Sequence, residues 1–292
     1  MEKYLNTFVR TFQGNLNWTW DSITFQVPLE RNFFWGLVVI SLVVWGLEIT
    51  FPWRKEQRIF RKDFWMDGFY MFFNFFIFSI MISGVYAVLG VLFSSLSITR
   101  TSLAIIDISS LPNWAQLVIF FVLLDFVQWL THIALHRTPA FWRFHKVHHS
   151  VLEMGFAAHL RYHWMENVLY KPLKTLGVMI LGGFQPEQAF IVHFIAITIG
   201  HLNHSNIKIT WGPLKYIFNN PVMHLYHHAK HLPSGRETGV NFGISLSLWD
   251  YLFRTSYVPE DSGKIELGFD EVEKFPTDFV HQNMYGFGKE KK

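Results

Sequence analysis

Apolar residues fall along this chain in long unbroken runs, with neither the stripe of a surface helix nor the alternation of a half-buried strand. Phe33 to Phe51, Trp65 to Phe93 and Ala115 to Leu135 are near or above the roughly 20 residues that carry a helix across about 30 Å of hydrocarbon. They predict three membrane spans. A run from Leu173 to Phe184, a turn at Gly182 to Glu187 and a second run from Gln188 to Gly200 predict a helical hairpin. Its arms, about 12 residues each, enter the bilayer without two full crossings. The expected fold is all-α and membrane-integral, with about four transmembrane helices (three spans plus the hairpin). Residues 1–115 form an N-terminal segment with the first two spans, 116–257 the middle of the chain and 258–292 a soluble tail.

Composition narrows the chemistry. Half of the 292 residues are apolar, 31 are Phe and none is Cys. Disulfides, cysteine-held iron–sulfur clusters, haem-thiolate chemistry and cysteine zinc sites are thereby excluded. Imidazole and carboxylate remain as strong ligands. The N-terminus, with Glu2, Lys3 and Arg10 ahead of a polar stretch, lacks the layout of a secretory signal. Basic residues gather at Arg54, Lys55, Arg58, Arg61 and Lys62, directly after the first apolar run. They read as a cytoplasmic loop facing anionic lipid. No groove-reading motif accompanies them, so nucleic acid is not an expected partner.

Histidines cluster where the runs end: His132/His136, His145/His148/His149, His201/His204 and His224/His227/His228. Each span reverses the side of the membrane, and following the chain from the basic loop puts all four clusters on the cytoplasmic face. Residues three or four apart share a helix face, so each cluster can aim two or three imidazoles at one point. Ten nitrogens are too many for one metal and suit two. A structural role would demand a partner for every imidazole beside lipid, where unpaired polar groups are costly. His193 and His281, which stand alone, read as structural. His159 and His163 read as donors behind the metal ligands or as cavity lining.

The residues now carry a resemblance. His132-Ile-Ala-Leu-His136, His145-Lys-Val-His148-His149-Ser150, His201-Leu-Asn-His204-Ser205-Asn206 and His224-Leu-Tyr-His227-His228 resemble the fatty acid hydroxylase/sterol desaturase superfamily of membrane di-iron enzymes. Asp125, His163-Trp-Met-Glu166, Gly212-Pro213-Leu214, Asn220-Pro221, Asn241-Phe-Gly243 and Leu248-Trp249-Asp250-Tyr-Leu-Phe253 resemble its landmarks in order. The likeness runs from about Trp35 to Thr255. Arg254 stands where many members have glycine, and Trp164 where many have proline.

What the resemblance implies is a cytosolic helical cap over the membrane helices, a catalytic domain at 116–257 and two Fe²⁺ ions held by the ten clustered histidines, with zinc as a substitute in purified material. Asp125, His159, His163, Glu166, His231, Asn241 and Asp250 would support them from behind, and no catalytic residue beyond the ligands is expected. The implied chemistry uses O₂ and two external electrons to hydroxylate or desaturate a lipid. Sterol-like, fatty-acyl, alkylglycerol-like and carotenoid substrates are all compatible with it. No Gly-x-Gly-x-x-Gly motif marks a nicotinamide or flavin domain, so a separate ferredoxin, cytochrome or flavin reductase is expected to deliver the electrons. Two other classes place histidines in membranes. A metal transporter would spread them along a path. A zinc hydrolase would use three protein ligands and, in membrane proteases, His-Glu-x-x-His, which is absent.

Overall fold

A computed structural model describes residues 1–259 and 264–288. The chain is mostly helical, and three of its helices are long and apolar enough to cross a membrane: α2 (Phe33–Thr50), α3 (Phe64–Ser95) and α4 (Asn113–Arg137). Each coincides with a predicted run. The polar N-terminal stretch, not read from the sequence as an element, is helix α1 (Glu2–Ile23). It lies along α3, where the Phe8 ring fills the notch left by Gly84: a Cβ there would stand 2.5 Å from the ring.

Helix α5 (Pro139–His149) follows α4 after Thr138, with proline at its first position, where no backbone N–H is needed. The hairpin is built of α6 (Trp164–Met179) and α7 (Pro186–His204). Its arms are longer than the sequence pattern suggests, because α6 begins with Trp164, Glu166, Asn167 and Lys171. Glu166, Asn167 and Lys171 face an internal cavity and so interrupt the hydropathy run without ending the helix. His163 caps α6, its Nδ1 accepting from the Met165 N–H at 3.0 Å. Gln185 and Gln188 form a capping box on α7. The last histidine cluster lies on and just beyond α8 (Pro221–His227), capped by Asn220.

Polar contacts fix the direction of each helix. Gln188 donates to Gln116 at 2.8 Å, and the two-residue strands β1 (Ile106–Asp107) and β2 (Leu181–Gly182) pair in parallel. The start of α4 and the hairpin turn therefore share one end of the bundle. At the other end Glu48 accepts from the backbone N–H groups of Phe156 and Asn206 at 2.8 and 2.7 Å. There α2, α4 and α7 finish, α3 and α6 begin, and the histidines meet.

Two local features bear on the site. Helix α3 loosens to an i→i+5 turn over Phe73–Ile77, and from it Asn74 donates to the carbonyls of Leu160 and Tyr162 at 3.1 and 2.9 Å. Such turns recur at functional sites. The tail helix α9 (Phe279–Met284) docks on α3 and α6: Tyr70 donates to Gln282 at 3.0 Å and Trp164 to the Asn283 carbonyl at 3.0 Å. Trp164, one of the two departures from the family pattern, is thus the tail's anchor. The other, Arg254, has φ 59°, a left-handed conformation that glycine adopts without cost.

The basic loop does two jobs. Lys55, Arg58 and Lys62 are exposed. Arg61 is buried against Asp67, and Arg54 turns inward to donate to the Met154 carbonyl at 3.0 Å. The surface charge available to lipid is smaller than the sequence count suggests, because two of its five cations are internal.

Candidate metal centre

Nine histidines converge in two groups. His132, His136, His145, His149 and His227 form one, and His148, His204, His224 and His228 the other; within each, the ligating nitrogens all lie within 4.8 Å of one another. Helix geometry makes the division. Residues four apart share a face, which keeps together His132 with His136, His145 with His149, and His224 with His228. Adjacent residues diverge by about 100°, so His148 and His149 serve different groups, as do His227 and His228.

The second group is tight. His204 Nε2 lies 3.3 Å from His148 Nε2 and 2.9 Å from His224 Nε2, and His228 Nε2 lies 3.2 Å from His224 Nε2. With metal–nitrogen bonds of ~2.1 Å, the edges of an octahedron or tetrahedron of ligands are ~3.0 or ~3.4 Å. In the first group the Nε2 atoms of His136, His145, His149 and His227 are buried with no hydrogen-bond partner among the described residues. Orphaned acceptors of this kind are costly unless a cation meets them. The donor set fits metal ions in both groups.

Five of the outward nitrogens are held by a partner. His132 Nδ1–H donates to the Phe242 carbonyl at 2.8 Å, His148 to Arg161 at 2.9 Å, His227 to Val240 at 2.8 Å and His204 to Gly200 at 2.8 Å. His145 Nδ1 meets a Glu166 carboxylate oxygen at 3.1 Å. Each such contact leaves Nε2 free of hydrogen and aimed inward.

Asp250 and Asp125 act through the backbone. Asp250 accepts from the N–H groups of Phe242 and Gly243 at 2.9 and 2.7 Å and from Trp129 Nε1 at 3.1 Å, fixing the carbonyl that His132 uses. Asp125 accepts from Ser245 N, Leu246 N and Trp249 Nε1 at 2.9, 3.2 and 3.0 Å. Asn241, at φ 52°, bridges the Met223 and Tyr257 carbonyls at 2.9 and 2.6 Å.

Other expected site residues lie apart. His201 is outside both groups: its Nδ1 is 2.8 Å from His159 Nδ1 and its Nε2 3.1 Å from the Ser41 hydroxyl. Three residues before His204, it faces α2 instead of the ligand cluster. His163 is spent on capping α6, between the Phe144 and Phe287 rings. His231 is exposed, 3.3 Å from Glu266. A support not identified from the sequence is Arg161, whose guanidinium joins Asp63, Asp67 and Ser150 at 3.1, 3.0 and 2.9 Å while its carbonyl accepts from His148. The signal was Asp67, a lone carboxylate inside an apolar run, since an ionisable group there ordinarily has a function.

Burial holds these imidazoles neutral. It lowers His148 from 6.5 to about 4, and lowers His149, His224, His227 and His228 well below the ordinary value, with neighbouring histidines adding to the effect. In the unfolded chain the same groups take up protons at higher pH. Stability of the metal-free protein is therefore complete above pH 6.5 and falls as pH drops towards 4. Melting of chelator-treated protein in detergent should show this decline, and a midpoint independent of pH across the window would contradict it.

A cavity of ≈400 Å³ opens from the centre, walled by His132, His145, His148, His204 and His224 at one end and by Phe33, Phe75 and Trp18 at the other. A second, of ≈660 Å³, shares Trp18, Phe33, Lys174 and His193 with it and reaches Arg31 and Glu187 at the far end of the bundle. His193 is stacked on Phe75, with ring centroids 5.7 Å apart.

Residues 117–255 match the model of the fatty acid hydroxylase family. The ornithine lipid hydroxylase OlsE of Rhizobium tropici is 31% identical over 54% of this chain and 46% of its own length. The alkylglycerol monooxygenase of Caenorhabditis elegans is 30% identical over 45% of this chain and 25% of its own. Methylsterol monooxygenase 1-1 of Arabidopsis thaliana is 27% identical over 48% and 46%. The chain thus spans about half or less of the length of the relatives it matches. No solved structure matches it.

Proposed function

Because residues 117–255 match the model of the fatty acid hydroxylase family, we propose that this protein is a membrane di-iron oxidase that uses O₂ to hydroxylate or desaturate a lipid. The observation that carries the reading is the pair of imidazole groups at the inner end of an aromatic-walled cavity. His132, His136, His145, His149 and His227 would hold one iron, and His148, His204, His224 and His228 the other. His201 would act with His159 in the cavity wall. Bound there, iron supplies two-electron activation of O₂, sufficient to oxidise an unactivated C–H bond.

The chain's own residues do the rest. Backbone carbonyls and Glu166 keep His132, His145, His148, His204 and His227 in the tautomer that presents Nε2. Phe33, Phe75, Phe76 and Ile197 line the cavity and exclude water from a reacting alkyl chain. Gln128, Asn167 and Asn203 place polar groups among them, suited to fixing an oxygenated lipid in one pose. The exposed Lys55, Arg58 and Lys62 support a cytoplasmic position for the metal end, where a separate ferredoxin, cytochrome or flavin reductase would deliver electrons. In this reading residues 1–115 and the tail from 258 frame a catalytic unit over 116–257.

Membranes from cells expressing the protein test the proposal. With metal, O₂ and a competent donor, mass spectrometry should show a lipid that has gained one oxygen atom or lost two hydrogens, and the product should vanish without O₂. Bound metal with no lipid change under those conditions would overturn it.

A further inference from the structure

Two lysines occupy a place where a purely hydrocarbon ligand has no use for them. Lys171 and Lys174 are three residues apart on α6 and share a helix face. Both line the cavity that starts at the metal centre, and Lys174 also lines the adjoining one. Lys171 Nζ donates to the Ser79 hydroxyl at 2.8 Å. Among the described residues, neither ammonium is ion-paired with a carboxylate. The carboxylate in the same cavity wall, Glu166, is turned to His145. His193 and Tyr170 complete this stretch, so its fixed charge is wholly positive. Both side chains are partly buried; a cation held in such a wall without a counter-ion is costly and either gives up its proton or takes an anion, and a ligand can bring that anion.

On the lipid-oxidation reading above, we propose that Lys171 and Lys174 bind an anionic group of the substrate lipid, a carboxylate or a phosphate. Along α6 they stand ~7.5 and ~12 Å beyond Glu166, which touches the metal-site residue His145. The oxidised carbon is therefore near the anionic group, within a short spacer of it, and remote from the tail end.

The test is equilibrium binding of palmitate, hexadecyl phosphate and methyl palmitate to the metal-loaded full chain in a non-ionic detergent. The metal-loaded proteins compared are wild type, Lys171→Met, Lys174→Met and Lys174→Arg, with His227→Ala as the metal-depleted control. Wild type should prefer palmitate or hexadecyl phosphate to the neutral ester by about tenfold or more, and whichever anion binds tighter identifies the group. Each methionine variant should lose that preference without weakening methyl palmitate, and Lys174→Arg should keep most of it. Melting of the ligand-free methionine variants should be unchanged or higher, since an uncompensated charge is removed. Equal binding of ester and anion by wild type overturns the proposal, as does a preference that survives both methionine substitutions. So does a preference that disappears in His227→Ala alone, because the metals would then be the anion's ligand. A lysine-dependent preference without any O₂-dependent product would count against the oxidase reading and leave the anion site standing.

Discussion

His227→Ala should abolish metal loading and lipid oxidation together. Its Nε2 is one of five nitrogens in the first group, buried and without a protein partner, and its Nδ1 is tied to the Val240 carbonyl at 2.8 Å. Removing a group that merely supports a ligand typically costs 10–100-fold in affinity or activity, so loss of the imidazole itself should exceed about 100-fold. The neighbouring His136, His145 and His149 would keep their orphaned nitrogens in a widened space, and the ion they share would dissociate. Metal analysis of purified protein and product analysis of membranes should fall in parallel. His281→Ala is the control: that side chain is exposed and pairs with Asp278, far from either group. A His227→Ala protein with full metal content would remove this histidine from the centre.

Asp67→Ala should be the most destabilising substitution outside the histidines. Asp67 is fully buried and lies between the guanidinium groups of Arg61 and Arg161, both themselves buried. Deleting one partner of a buried ion pair costs about 3–5 kcal/mol, because the remaining charge is left in a low-dielectric interior. Here two cations lose their counter-ion, and only Asp63 remains for Arg161, at 3.1 Å. The effect should travel to the metals, since the Arg161 carbonyl fixes His148 at 2.9 Å. Chelator competition should show the group containing His148 weakened by about 10–100-fold, alongside a lower melting midpoint. Unchanged stability would show that the two arginines find other partners. Unchanged metal affinity would detach the ion-pair network from the centre.

Hydropathy alone located α2, α3 and α4 because a helix in lipid must be apolar along its whole length. The same rule misjudged the hairpin, where polar residues on α6 face a cavity and hydropathy ceases to measure helix length. It also passed over α1, whose polar residues hide a helix that gains its stability by packing on α3. Charge counting overstated the basic loop for a related reason: Arg61 looks like a surface cation until Asp67, six residues later, turns out to be buried against it.

The amino-acid sequence by itself determined the histidine clusters, their spacing and the exclusion of every cysteine-based chemistry, since these depend only on residue identity and helical period. Only the tertiary structure decided which histidine joins which group, because neighbours such as His148 and His149 diverge by about 100° on one helix and the partner faces come from α4, α7 and α8. It alone set His201 against Ser41 and His159, and it alone brought Lys171 and Lys174 into a cavity with Trp18 and Phe33. Contacts between residues far apart in the chain follow from how helices pack, and no local pattern records them.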